Sequence, residues 1–348
     1  MSLVWQPLSI QGNLRIRENH IGCIVKTRGR QFIFLTGGKK YSKVYEYYYR
    51  DQNSQTEVID LDIKLFYRIA QSPPIPNITS FDCYRFENQT IIGFLGNKNN
   101  KKSSVSMCKL NLNTMKDKEE INWEVKDLDY KYFPNYKKFH FLTENQMITF
   151  IKYEKNQLAL TLIVEKFDGI LEYEIIKPEG EVPNHLIEFS SIIVGRKLIL
   201  FGGKYDIDYS ANSDQITSKC TNNMWEFSIP LLMDKKQLCW RRVMNRKSSG
   251  NIPPPCFGHQ LVKIQNYLFL IGGKTEQGTT LSPQGNLYVF DLYEKYWIEI
   301  LSELNMKLIV DRINHISFPS LCSEFIYVHG GQSISSADNS NAEQCLIS

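Results

Sequence analysis

The chain has 348 residues, 42% of them hydrophobic and 22% charged, and carries a net charge of +4. That is globular composition with ample material for a core. The charge excludes the strong basic excess of a dedicated nucleic-acid binder, so any basic site must be a local patch. No apolar run reaches the roughly 18 residues of a membrane helix. The opening MSLVWQPLSI lacks the basic and apolar stretches of a secretory leader, so a cytoplasmic protein is expected.

Taken in chain order, LVWQPLSI (3–10) reads as a lone strand carrying Trp5. FIFLTGG (32–38) is a β-rich apolar run closed by Gly37 and Gly38. It leads into KKYSKVYEYYYRD (39–51), which crowds five tyrosines among basic residues, and then into EVIDLDIKLFY (57–67). TIIGFLGN (90–97) repeats the apolar run with Gly96 alone, continues into NKNNKKSS (97–104), and leads to Trp123. DYKYFPNYKK (129–138) is again basic and tyrosine-rich, and MITFIKY (147–153) is an apolar run without glycine. IIVGRKLILFGG (192–203), VKIQNYLFLIGG (262–273) and CSEFIYVHGG (322–331) end on Gly202-Gly203, Gly272-Gly273 and Gly330-Gly331. Two of them are followed by a spaced aromatic strand and a tryptophan: Trp225, Phe227 and Trp240, then Tyr288, Phe290 and Trp297. The chain finishes on NAEQCLIS (341–348).

This repeated pattern resembles the kelch repeat, with a strand ending in Gly-Gly, a Tyr-x-Tyr/Phe strand, and a Trp opening the last strand. The resemblance covers the whole chain; it is sharpest at 192–240 and 262–297 and weakest between 76 and 182. No Trp-Asp dipeptide supports a WD40 reading. The markers recur about every 50–70 residues, near the kelch period of about 50. The resemblance implies an all-β, six-bladed propeller of four-stranded antiparallel blades. The blades would span 13–75, 76–132, 133–182, 183–250, 251–306 and 307–348. Blades two and three, which lack parts of the pattern, should be irregular. Segment 1–12 should supply the outer strand of the last blade, with Trp5 in the tryptophan position, closing the ring by removing a sheet edge.

Within such a blade the chain after Gly-Gly forms the loop between the second and third strands. Lys39, Lys40, Tyr41, Lys43, Tyr45, Tyr47, Tyr48, Tyr49 and Arg50 would share a face with Lys98, Lys101 and Lys102 and with segment 129–138. Tyrosine supplies rigid contact area with a hydroxyl, and lysine steers acidic partners. These loops are the candidate docking patch for a protein partner with an acidic surface. Residues 44–49 have an alternative as a projecting β-ribbon, and solvated loops are the plainer reading of the whole set.

Other chemistry is weakly signalled. DIDYSANSDQIT (206–217) starts like a calcium loop but has Ala211 where glycine is needed and Thr217 in place of the bidentate acid. His20, His185, His259 and His315 precede the next Gly-Gly by 17, 17, 13 and 15 residues, which reads as out of register and structural rather than as a metal ring. Cys23, Cys83 and Cys322 are expected on first strands, and Cys108 and Cys345 on third strands, as small buried hydrophobes. With Cys220, Cys239 and Cys256 they form no Cys-x-x-Cys, so free thiols are expected. No nucleophile elbow, zinc helix, phosphate loop or dinucleotide fingerprint occurs. The expectation is a non-catalytic interaction scaffold without cofactor, metal, membrane or obligate small molecule. The alternatives are a small-molecule enzyme or binder, mutarotase-like, using a central channel, and a single-strand nucleic-acid binder using the basic tyrosine-rich loops.

Overall fold

The computed structural model describes residues 5–11, 17–18, 20–27, 29–37, 39–42, 47–50, 55–72, 77–86, 89–97, 105–111, 121–133, 138–153, 157–177, 180–184, 186–205, 219–229, 239–245, 251–281, 286–301, 311–334 and 345–347. Among these the chain is all-β, with a 3-10 turn at Tyr130–Tyr132. Five antiparallel sheets have four strands and a sixth has five. Four small ribbons accompany them. The sheets form a propeller-like arrangement, and the chain divides into two compact units.

The first unit comprises Met1–Leu8, Glu154–Leu158 and Pro178–Ser348. It holds three sheets. The first runs Ser190–Val194, Lys197–Phe201, Met224–Ser228, Trp240–Arg242. The next runs Gln260–Ile264, Tyr267–Ile271, Leu287–Asp291, Tyr296–Ile300. The last runs Ile316–Pro319, Ile326–His329, Cys345–Ile347 and then Trp5–Pro7, taken from the other end of the chain.

In the second strands, Leu198 to Phe201 and Leu268 to Ile271 are buried residue after residue. A strand reads as a continuous apolar run when both of its faces are covered. Here the covering comes from neighbouring sheets. Phe201 of one sheet lies 4.8 Å from the ring of Trp297 in the next, and Trp297 packs at 5.2 Å on Phe290 across its own strands. Val262, Phe269 and Val289 in turn join Ile326 and Val328 of the last sheet in one apolar cluster.

The second unit comprises Ser9–Tyr153 and Ala159–Lys177. Its sheets are Ile21–Thr27, Arg30–Thr36, Gln55–Asp60, Leu65–Ser72; then Asn77–Phe86, Gln89–Asn97, Val105–Asn111, Glu124–Leu128; then Phe139–Thr143, Gln146–Tyr153, Gln157–Glu165, Leu171–Ile176. The sheet at 139–176 is irregular as expected: its first pairing shifts register between Phe141 and Thr143. Phe139 and Phe150 are fully buried in it without any glycine marker. The sheet at 77–128 is irregular as well. Its first pairing shifts register between Leu95 and Gly96, and a Cβ on Gly93 would fall 2.5 Å from the Phe141 ring of the neighbouring sheet. Residues Ile121–Asn122, expected in the second blade, instead pair in parallel with Gln71 and Ser72 of the first sheet.

Two adjacent sheets of this unit are also tied by charge. Lys109 Nζ lies 2.5 Å from Glu165 Oε2 and 3.1 Å from the Glu144 carbonyl, while Lys126 pairs with Glu165 Oε1. Burial alone would raise the Glu165 pKa, but the two ammonium hydrogen bonds prevail and hold it below the usual carboxylate value.

One register row links the sheets. The residue four places before the first glycine marker pairs outward to the aromatic of the fourth strand. The rows are Leu198–Phe227–Trp240, Leu268–Phe290–Trp297 and Ile33–Ile59–Phe66. Ile326–Ile347–Trp5 is the same row in the last sheet, and Trp123 is buried in one apolar cluster with Cys108 and Leu110 of the second sheet.

Candidate partner-docking surface

The chain just before each first strand sets up the surface that carries the candidate residues. Leu186–Ile187 pairs with Lys204–Tyr205, Cys256–Phe257 with Lys274–Thr275, and Arg312–Ile313 with Gln332–Ser333. Arg17–Glu18 likewise pairs with Lys39 and Lys40. Each ribbon therefore joins the lead-in to a first strand with the residues that follow the glycines of the same sheet.

The glycines are required at these joins. Gly202 and Gly272 have φ of +63° and +62°, a region that a Cβ disfavours. A Cβ on Gly202 would also fall 2.6 Å from His259 Cε1, and one on Gly272 would fall 2.6 Å from His315 Cε1 and against the Arg312 carbonyl. Each histidine belongs to the following sheet. Gly203 N–H donates to Cys256 O at 2.7 Å and Gly273 N–H to Arg312 O at 2.8 Å, so the second glycine ties the same pair of sheets.

His20, His259 and His315 each stand directly before a first strand, level with the first glycine marker. Phe189 holds that place in the sheet at 190–242. The histidines are therefore in register, contrary to the count along the sequence. That count failed because the hairpin between histidine and glycine has strands of seven residues at Ile21–Thr36 but five at Gln260–Ile271. His185 lies outside the described residues.

Cys256 and His259 have the look of a nucleophilic pair, with Sγ 3.5 Å from Nδ1. The Phe201 carbonyl, 3.1 Å from Nε2, can only accept, which fixes the proton on Nε2 and leaves Nδ1 to accept from the thiol. Burial pushes the Cys256 pKa well above the ordinary thiol value, so this is a protonated packing cysteine. His315 differs: both ring nitrogens are buried without a hydrogen-bond partner among the described residues. Burial, followed by the charges of Arg312 and His259, holds its pKa well below the ordinary value. Cys23 and Cys108 are buried as expected. Cys322 is not on a first strand: it sits past Pro319 in the hairpin turn, exposed, with Ser320 Oγ 3.2 Å from its sulfur.

Of the proposed docking residues, Lys39, Lys40 and Tyr41 form strand Lys39–Ser42, and Tyr47, Tyr48, Tyr49 and Arg50 form the strand paired to it. The register sets Lys39 against Arg50, Lys40 against Tyr49, and Tyr41 against Tyr48. Arg17 and Glu18 continue the Lys40 and Lys39 rows. The residues thus meet in a three-stranded ribbon rather than a loop. Lys43, Tyr45, Lys98, Lys101 and Lys102 lie outside the described residues, as do Gly38 and the 206–217 segment.

Segment 129–138 is partly drawn into the core. Phe133 is fully buried and Tyr132 stacks on Tyr173 at 4.8 Å, leaving Lys131 exposed beside Asp129. The sequence reading missed the lysine that follows the glycines three times, at 39, 204 and 274. Lys204 shows one use for it: Nζ lies 2.6 Å from Glu188 Oε1 and 4.8 Å from the Phe257 ring centroid. Among the described residues, no group of three or more His, Cys, Asp or Glu could hold a metal ion, and no helix is long and apolar enough to cross a membrane.

Stacked four-stranded antiparallel sheets joined in this way define a protein of the β-propeller class. Comparison with solved structures supports that class. The protein described in "Structure of YjhT", a propeller-type protein, superposes with a TM-score of 0.50 and 11% identity, over 76% of this chain and 75% of that one. No known protein-family profile matches the chain. "Putative protein tag-53" of Caenorhabditis elegans is 25% identical over 131 residues, which is 36% of this chain and 8% of that protein's length.

Proposed function

We propose that the chain is a six-bladed, kelch-type propeller that acts as a non-catalytic protein–protein interaction scaffold, a cytoplasmic subunit of a larger assembly. Support for the kelch type comes from the Gly-Gly closures and from the shared aromatic row ending in Trp240, Trp297 and Phe66. The observation that carries the functional reading is the ribbon of 17–18, 39–42 and 47–50. It gathers four basic residues and four tyrosines onto three short strands. Concentrated tyrosine with positive charge suits a protein partner with an acidic surface. The commitment of buried Cys256 and His259 to packing supports a scaffold rather than a chemical step at that pair. Cross-linking mass spectrometry on native extract tests the reading. Cross-links from Lys39 or Lys40 to one recurring protein are expected; a monomer without reproducible partners overturns it.

A further inference from the structure

Among the described residues of the first unit, four large hydrophobic side chains are exposed: Met244, Ile252, Tyr293 and Leu301, between 47% and 80%. Scattered singly, such residues need no explanation. These four instead border one strand, Tyr296–Ile300, the fourth of its sheet. Tyr293 stands in the turn that leads into the strand, its N–H donating to Asp291 Oδ1 at 2.8 Å. Leu301 follows the strand directly. Met244 and Ile252 come from the chain between Trp240–Arg242 and Gln260–Ile264, which joins this sheet to the one before it. Asn245 Oδ1 accepts from the Trp297 N–H at 3.3 Å, and Asn251 Nδ2 donates to Glu299 Oε2 at 2.6 Å. Met244 is thereby placed next to Trp297, Ile252 next to Glu299, and Leu301 two residues further on. At about 3.4 Å per residue the three are set in steps of roughly 7 Å.

The same two bonds decide what the stripe can take. The Trp297 N–H points out of its own sheet and is occupied by Asn245, so a partner backbone cannot add there as a further strand. Recognition falls to side chains. An amphipathic helix presents apolar residues at i, i+4 and i+8 in steps of about 6 Å, close to the spacing of Met244, Ile252 and Leu301. Charge sets the rest. Arg241 and Arg242 are exposed just before Met244, and Arg242 Nη2 donates to a neutral acceptor, Asn223 Oδ1, at 2.6 Å. Glu299, the carboxylate inside the stripe, has each oxygen engaged by an amide, Asn251 on one and Asn286 on the other. At the Tyr293 end Lys295 is matched by Glu226 at 3.9 Å, and Glu294 is exposed. The basic end of the stripe is therefore the one at Met244.

We propose that this stripe docks an acidic amphipathic helix of a partner protein. The apolar side of the helix seats residues at i, i+4 and i+8 on Met244, Ile252 and Leu301, the side-chain anchoring by which helices are held on apolar surfaces. Asp and Glu on its flank face Arg241 and Arg242, because opposite charge across an interface fixes register and steers encounter. The stripe belongs to the first unit and the ribbon at 17–50 to the second, so this second docking surface stands or falls independently of the ribbon.

The test is selection of phage-displayed random peptides of about 16 residues, or roughly four helical turns, on the full chain. Selected peptides are then synthesised and titrated against the wild-type protein, M244D with L301D, and R241E with R242E. The expected outcome is enrichment of apolar residues at i, i+4 and i+8 with Asp or Glu beside them, and a gain of helical circular dichroism on binding. Each double variant should bind tenfold or more weakly while its own melting stays at the wild-type value, since all four side chains are exposed. Selected peptides that bind M244D with L301D as tightly as the wild type overturn the stripe and leave docking at the ribbon standing. Enrichment at i and i+2 without helical signal overturns the helix. A concentration-dependent dimer in sedimentation velocity that M244D with L301D abolishes overturns the proposal in favour of a second copy of this chain. Failure to enrich any peptide overturns it as well.

Discussion

Substituting Gly272 by alanine separates two reasons for a glycine at that position. Its φ of +62° disfavours any Cβ, at a cost of about 1–2 kcal/mol. The new methyl would also strike the Arg312 carbonyl and approach His315 Cε1 at 2.6 Å. Overpacking of that kind costs roughly a further 1–3 kcal/mol, or about 5- to 150-fold in the unfolding equilibrium. Gly195 is the internal control: its φ is +59°, and among the described residues nothing lies within 4 Å of a Cβ built there. Both glycines lie in the same unit, so urea denaturation of G195A and G272A compares them directly. The midpoint of G272A should fall clearly below that of G195A. Equal midpoints would show that the backbone angle alone selects the glycine, and that the approach of the neighbouring sheet does not.

Three further outcomes are expected. His315→Phe should be neutral or stabilising by about 1 kcal/mol, because Phe189 fills the matching place and two unpartnered ring nitrogens are removed. The depressed pKa of His315 means that stability is full above the unfolded value of about 6.5 and is lost as pH falls below it. Melting between pH 7 and pH 5 should therefore flatten in that variant. Glu165→Gln should cost about 2 kcal/mol by leaving Lys109 and Lys126 without their shared carboxylate. The lowered Glu165 pKa makes its contribution full above about pH 4.3 and lost as pH drops through the folded value. Denaturation midpoints from pH 7 to pH 3 should accordingly converge with those of the variant. Deleting residues 1–8 removes the fourth strand beside Cys345–Ile347 and should lower the melting temperature; unchanged melting would refute a stabilising role for that strand.

Much of the fold was readable because glycine and the large aromatics are irreplaceable where sheets meet. The Gly-Gly closures, and a Trp or Phe on one row, mark second and fourth strands directly. Substitution at matching register positions hid the kinship of the first sheet. There Glu57, fully buried and 3.3 Å from Arg68, takes the place of Tyr288, and Phe66 that of Trp297. The histidine register was obscured by unequal hairpins, since distance along the chain does not measure position across a sheet. The lead-in ribbons escaped because two residues cannot show a period of two. The candidate site was legible as composition, five tyrosines amid basic residues, but its three-stranded ribbon depends on pairing with Arg17 and Glu18. Nothing in the local sequence announces those partners.

The pairing of Trp5–Pro7 with Cys345–Ile347 also constrains the order of events during synthesis. Trp5–Pro7 leaves the ribosome long before its pairing partner at Cys345–Ile347. At 5–20 residues per second the interval is on the order of 20–70 s. Throughout that time the strand has no ladder to join, although sheets encoded between the two can already assemble. Consolidation of that sheet therefore awaits residue 345, and a chain stalled short of it would retain an unfilled edge that quality-control factors could recognise.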